Sequence, residues 1–186
     1  MLKPILFDFP DSFESERITI RAPRAGEGKA VAEAIGESYT ELAPWMPWAS
    51  PDPDVAEVEA NLRESAAKWL RREDLRLNLW LKGTDTFVGG SGLHRLNWEV
   101  PRFEIGYWCR TRFSGQGYIT EAVNAITDFA FKTLGARRIE IRCDSLNERS
   151  RRVAERAGYT LEASLRQQDR AISGELRDTL VFVKLH

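Results

Sequence analysis

The stretch "RFEIGYWCRTRFSGQGYITEAVNAITDFAF", Arg102 to Phe131, decides the fold. It opens as an apolar strand and breaks into a basic, glycine-spaced turn over Arg112-Phe113-Ser114-Gly115-Gln116-Gly117. It then continues as an amphipathic helix, with Ile119, Ala122, Val123, Ile126, Phe129 and Ala130 on one stripe. Gly135 supplies a C-cap. Next, "RRIEIRCD" alternates Ile139, Ile141 and Cys143 with charged residues, the two-residue period of a strand. A strand-helix-strand unit of this kind makes its two strands parallel, joined by a right-handed crossover.

Working outward, "LRLNLWLKGTDTFVGGSGLHRL" reads as a hairpin, Leu75 to Leu81 and Phe87 to Leu93, turning at Lys82-Gly83-Thr84-Asp85. "ERITIRAP" alternates as a half-buried strand, and "AGEGKAVAEAIGESY" follows as a helix with Ala30, Val31, Ala34 and Ile35 on one face. Two prolines make "LAPWMPWAS" neither regular helix nor central strand. Asp54 to Leu70 has helical spacing through Val55, Val58, Ala60, Leu62, Ala66 and Leu70. Downstream, Asn147 to Ala157 is a short helix closed by Gly158, and strands near Tyr159–Leu165 and Asp178–Leu185 follow. The expectation is a single α+β domain over residues 1–186, with a mixed, mostly antiparallel sheet, flanking helices and one parallel crossover.

Composition narrows the chemistry. With 186 residues, 42% hydrophobic and 30% charged, the chain reads as one ordinary globular domain. A net charge of -1 points to neither nucleic acid nor an anionic membrane surface as a partner. Cys109 and Cys143 make no disulfide framework and lack zinc-site spacing; with only His94 and His186 beside them, no metal is expected. No signal peptide opens the sequence and no apolar run approaches the roughly 20 residues that span a bilayer. A reducing, cytoplasmic location is the expectation.

The glycine turn carries the chemistry. Backbone N–H groups entering a helix N-terminus lack intrahelical partners, and the helix dipole adds partial positive charge. Gly115 and Gly117 permit positive φ and close approach of an anion, Thr120 adds a hydroxyl, and Arg110 and Arg112 add charge. A turn without a ligand is the alternative. A P-loop needs Lys-Ser/Thr after its last glycine, where Tyr118-Ile119 stands; a dinucleotide fingerprint needs glycine where Thr120 stands. What remains is Gln/Arg-x-x-Gly-x-Gly, filled as Arg112-x-x-Gly115-x-Gly117.

That pattern resembles the pyrophosphate loop of the GNAT acetyltransferase superfamily. "SERITIRAPRAGEG", "LAPWMPWAS", "EIGYW" before "GQGYITEA", and "NERSRRVAERAGYTLEASLR" are similar, in order and spacing, to segments of its ribosomal-protein N-terminal (RimJ/RimL-type) branch. The sequence departs from the branch at Thr111, usually proline, and at Ala163, usually glycine. Ala154 occupies the slot where many members outside the branch carry a tyrosine that protonates the departing thiolate.

The resemblance implies a GNAT-like sheet whose parallel crossover forms an acetyl-CoA cleft, with no metal. Tyr107, Trp108 and Cys109 would run beside the pantetheine arm, pairing with its amides as an added strand does. A backbone N–H there would polarise the thioester carbonyl. Arg112, Ser114, Gly115, Gln116, Gly117, Tyr118, Ile119 and Thr120 would hold the pyrophosphate. Asn147 would bind pantetheine while also serving as an N-cap, and Ser150, one turn on, would protonate the thiolate. Glu104 is the candidate general base, with a structural carboxylate as the alternative. His94 facing the acceptor is a weaker candidate, and an acyl-cysteine intermediate is not needed for direct attack. One of Arg149, Arg151 and Arg152 would reach a coenzyme phosphate.

The implied activity is transfer of acetyl from acetyl-CoA to a primary amine, a protein N-terminal α-amine first. A small-molecule acceptor (polyamine, amino acid or aminoglycoside) and a non-catalytic acyl-CoA binder are the alternatives. A homodimer is left open.

Overall fold

The fold, a computed structural model, describes residues 3–186. Eight strands form one sheet in the order β1-β2-β3-β4-β5-β6-β8-β7. They are β1 (Ser12–Glu14), β2 (Ile18–Arg21), β3 (Leu75–Leu81), β4 (Phe87–Asn97), β5 (Arg102–Cys109), β6 (Arg138–Asp144), β7 (Thr160–Arg170) and β8 (Leu176–Leu185). The helices are α1 (Gly28–Glu37), α2 (Tyr39–Leu42), α3 (Val55–Arg71), α4 (Tyr118–Lys132) and α5 (Glu148–Arg156). Every strand pair is antiparallel except β5 with β6, which are joined through α4. The expected mixed α+β fold with one parallel crossover is what the chain adopts.

Period decides which side each helix covers. The stripe on α4 is buried, with Ala122, Val123, Ile126 and Ala130 fully so, and it packs in one cluster with Leu77, Leu93, Phe103 and Ile105. Burying each such large apolar side chain stabilises the fold by about 1.5–3 kcal/mol. Phe129 stacks on Phe13 at 4.5 Å, which ties α4 to the edge strand β1. On the opposite face Val31, Ala34 and Ile35 of α1 and Leu62 of α3 pack with Trp80 and Phe87.

The α3 stripe differs from expectation. Val55 and Leu70 are exposed, and Trp69 is the buried residue with Leu62 near the end of the helix. The helix begins where Asp54 accepts from the N–H groups of Ala56 and Glu57. Strand β1 and the short α2 have no distinct sequence signal. The final strands run longer than expected because β7 and β8 pair along almost their whole length. No helix among the described residues is long and apolar enough to cross a membrane.

Candidate active site

Strand β5 stays paired with β4 as far as Gly89↔Cys109, but its ladder with β6 stops at Glu104↔Glu140. Beyond that point the two parallel strands diverge, and one edge of residues 105–109 has no strand beside it. A cleft of about 800 Å³ opens there. Tyr107 and Cys109 share the α4 face with Phe103 and Ile105, whereas Trp108 points to the other face, against Phe87 at 5.5 Å and Trp48 at 5.7 Å. Both Tyr107 and Trp108 line the cleft, so it opens to both faces of the sheet.

The glycine turn lies at one end of this opening. Residues 114–120 all line it. Gly115 has φ +76° and Gly117, the N-cap of α4, has φ +84°, conformations that favour glycine. Gln116 donates from Nε2 to the Arg112 carbonyl at 2.7 Å and so closes the turn. The loop is braced from β2: Arg17 donates to the Gln116 carbonyl at 3.2 Å, pairs with Glu121 at 2.6 Å and lies 4.2 Å over the Tyr118 ring. Burial alone would raise the Glu121 pKa, but hydrogen bonds from Ser15 and Arg17 hold it below the usual carboxylate range. Arg149, Arg152 and Arg156 add positive charge at the rim. Arg156 donates to the Thr120 hydroxyl at 3.4 Å.

The start of α5 faces the exposed edge of β5. Asn147 is its N-cap, accepting the Ser150 N–H on Oδ1 at 3.0 Å, which leaves the Nδ2 amide to the cleft. Ser150 Oγ donates to the Tyr107 hydroxyl at 3.1 Å, and that hydroxyl donates to the Ser150 carbonyl at 2.9 Å. Burial raises the Tyr107 pKa well above the usual phenol value. The two thiols sit in the same region and burial raises both, Cys109 to about 11, so neither is a ready thiolate. Ala154 is fully buried.

Two expected site residues lie elsewhere. Arg112 is not on the cleft lining; its guanidinium pairs with Glu37, and only its carbonyl serves the turn. Glu37 also accepts from Arg110 Nε at 2.8 Å. Hydrogen bonds from Arg112, opposed by burial and joined by Arg110, lower its pKa to about 2. Glu104 is likewise off the lining, 3.5 Å from Arg142 and 3.6 Å from Arg95 at the last rung of the parallel ladder. Glu41, Leu42, Trp45 and Met46 also line the cleft, with Glu41 accepting from the Thr111 hydroxyl at 3.0 Å.

Residues 17–160 match the model of the acetyltransferase (GNAT) domain. The chain belongs to that family. It is 32% identical over 155 residues to YdaF of Bacillus subtilis (strain 168), named as a ribosomal N-acetyltransferase, covering 82% of each chain. It is 26% identical over 157 residues to the ribosomal-protein-serine acetyltransferase of Escherichia coli (strain K12), covering 83% of this chain and 86% of that one. The crystal structure of the microcin C7 self immunity acetyltransferase MccE in complex with acetyl-CoA and AMP shares the fold. Its TM-score is 0.86 at 21% identity, covering 96% of this chain and 98% of that one.

Within this GNAT domain, the structure brings Tyr107, Trp108, Cys109, residues 114–120, Asn147 and Ser150 to one cleft. Sequence reasoning missed the Tyr107–Ser150 hydroxyl pair, the Arg17 brace and Arg156. Arg156 sits two turns beyond Arg149 on α5, a helical spacing visible in the sequence. The Arg17–Glu121 pair has no such signal, because 104 residues separate its members.

Proposed function

We infer that residues 1–186 work as one domain that transfers acetyl from acetyl-CoA to the α-amine of a protein N-terminus. The observation that carries this reading is the unpaired edge of β5 running into the bare N-terminus of α4. An extended chain of amides ending in a pyrophosphate fits that shape: amides along the strand edge, phosphates on the turn. Asn147 Nδ2 would take a pantetheine carbonyl, and the rim arginines would meet the remaining phosphate charge.

The acceptor would enter along the wall formed by Trp45, Met46 and Trp108. A strand N–H of β5 would hold the developing oxyanion. Ser150, already hydrogen-bonded to Tyr107, would donate to the departing sulfur. An α-amine with pKa about 8 costs only about 1.4 kcal/mol to deprotonate at pH 7, against about 4.6 kcal/mol for a lysine amine. The ribosomal substrates in the names of YdaF and of the Escherichia coli relative support an N-terminal acceptor. A small-molecule acceptor is the second reading, favoured by the likeness to MccE, an acetyltransferase of microcin self immunity.

We place the enzyme in the cytoplasm, where acetyl-CoA is available, without nucleic acid as a partner. The edge strand β7, with Leu161 exposed, is compatible with a homodimer. The deciding assay measures free thiol released from acetyl-CoA with a panel of N-terminal peptides, lysine peptides, polyamines and aminoglycosides. Preference for α-amines supports the reading; turnover confined to small amines replaces it with the second. No thiol release with any of them leaves a coenzyme-binding protein.

A further inference from the structure

His94 lies on β4 directly opposite Glu104 of β5, on the sheet face that also carries Trp108. Its Nδ1 meets the Asp74 carboxylate at 2.7 Å, and about a third of its side chain is exposed. Glycines make room for the ring. A Cβ at Gly92 would come within 2.9 Å of Cε1, and one at Gly106 within 3.2 Å of Cδ2 and 3.4 Å of Nε2. The Nε2 edge therefore rests on the bare backbone of Gly106, one residue before Tyr107 of the cleft lining; His94 itself, like Glu104, lies off that lining.

Two features separate this pair from an ordinary surface contact. A carboxylate on Nδ1 holds the ring proton there and leaves the lone pair on Nε2. The ring also stands where the β5–β6 ladder ends, so the sheet opens next to it. The charged groups around it are Asp74, Arg76 of β3, Arg95 of β4, Glu104 of β5 and Arg142 of β6. Glu104, the sequence candidate for this task, pairs with the guanidinium groups of Arg95 and Arg142, whereas the His94 Nε2 has no hydrogen-bond partner among the described residues.

We propose that His94, oriented by Asp74, is the general base, accepting the proton of the acceptor ammonium on Nε2, directly or through one water. This rests on the transfer reaction inferred above. The ammonium gives one proton to Nε2, and the freed nitrogen lone pair attacks the thioester carbonyl carbon. The C–N bond forms, the C–S bond breaks with its electron pair leaving on sulfur, and the amine's second proton ends on the coenzyme thiol. The imidazolium then returns its proton to water. Asp74 is a positioning residue, and its contribution is the tautomer.

The test is a pH profile of kcat/KM for a peptide with a free α-amine, together with acetyl-CoA binding by thermal shift. His94→Gln should lower kcat/KM about 10²-fold at neutral pH and remove the acidic limb expected of the wild type. The deficit should shrink as pH rises through the amine's own titration near about 8, because the amine then arrives deprotonated. Asp74→Asn should lower kcat, keep the acceptor KM and shift the acidic limb; Asp74→Glu should restore part of the rate. Acetyl-CoA should protect all the variants as it protects the wild type. A His94→Gln enzyme with the wild-type limb and rate overturns the base assignment alone. Loss of acetyl-CoA protection in that variant overturns it too, since His94 would then be shaping the coenzyme site. A wild type that binds acetyl-CoA and releases no thiol with any amine overturns the transfer reaction itself.

Discussion

Ser150 and Tyr107 share a reciprocal pair of hydrogen bonds: the serine Oγ donates to the phenol at 3.1 Å, and the phenol donates to the serine carbonyl at 2.9 Å. The serine's single proton rests on the phenol in this state and would turn to the sulfur as the thiolate forms. Charge on sulfur develops only along the reaction, so a donor to it acts on the transition state. Ser150→Ala should lower kcat about 10²-fold and leave acetyl-CoA affinity nearly unchanged. Tyr107→Phe should lower kcat less, because the serine hydroxyl survives but loses its anchor. Steady-state kinetics with coenzyme titration would measure both, and full kcat in Ser150→Ala would reassign the proton donor.

Asn147→Ala should behave differently. It removes the N-cap of α5 and the amide facing the cleft, so acetyl-CoA affinity should fall and stability should drop by about 1 kcal/mol. Isothermal titration alongside a denaturant melt separates the two losses. Unchanged affinity would leave Asn147 as a cap alone.

Gly117→Asp should damage coenzyme binding more than folding. Gly117 sits at φ +84°, and a new Cβ would meet the Arg17 guanidinium at 3.5 Å, an ordinary contact distance. The carboxylate would face the anion held by the turn. A loss of at least tenfold in acetyl-CoA affinity is expected, and retention of wild-type affinity would show that the turn binds no anion.

Glu37 predicts an acid-sensitive joint. Its folded pKa of about 2 lies below the ordinary 4.5, so the stabilisation it supplies is complete above about pH 4.5. It is lost as pH falls from there towards 2. The carboxylate is a quarter exposed and Arg112 more so, which reduces the gain to on the order of 2 kcal/mol. Glu37→Gln should therefore be less stable than wild type at pH 7, with the difference vanishing near pH 2. Urea melts across that range would check the sign.

Saturating acetyl-CoA should raise the melting temperature in EDTA as much as without it. At a hundred times its Kd, a ligand specific for the native state adds about 2.7 kcal/mol. A shift abolished by EDTA would bring a metal into the account.

Much of this was readable because it is local. Residues 102–144 change period from two to 3.6 and back, and those changes map onto β5, α4 and β6. Asn147 is followed by a helix and does cap it. What could not be read depends on partners far along the chain. Arg112 looks like an anion ligand until Glu37, 75 residues away, is seen against it. Leu62 and Trp69 stand seven residues apart on one face of α3, whereas Leu70 is turned away from it, and a stripe drawn through Leu70 misses the buried tryptophan. The end of the β5–β6 ladder is equally silent, since an apolar alternating strand reads alike whether or not it has a neighbour. Glu104 and His94 drew opposite weights from sequence, and the difference between them is what touches each.

The ladder that joins β6, β8 and β7 to the rest of the sheet has three rungs, Arg102 to Glu104 against Arg138 to Glu140. A coenzyme arm laid along the β5 edge would act as a suture across that seam, adding to the shared core and to the Glu104–Arg142 and Tyr107–Ser150 contacts that already span it.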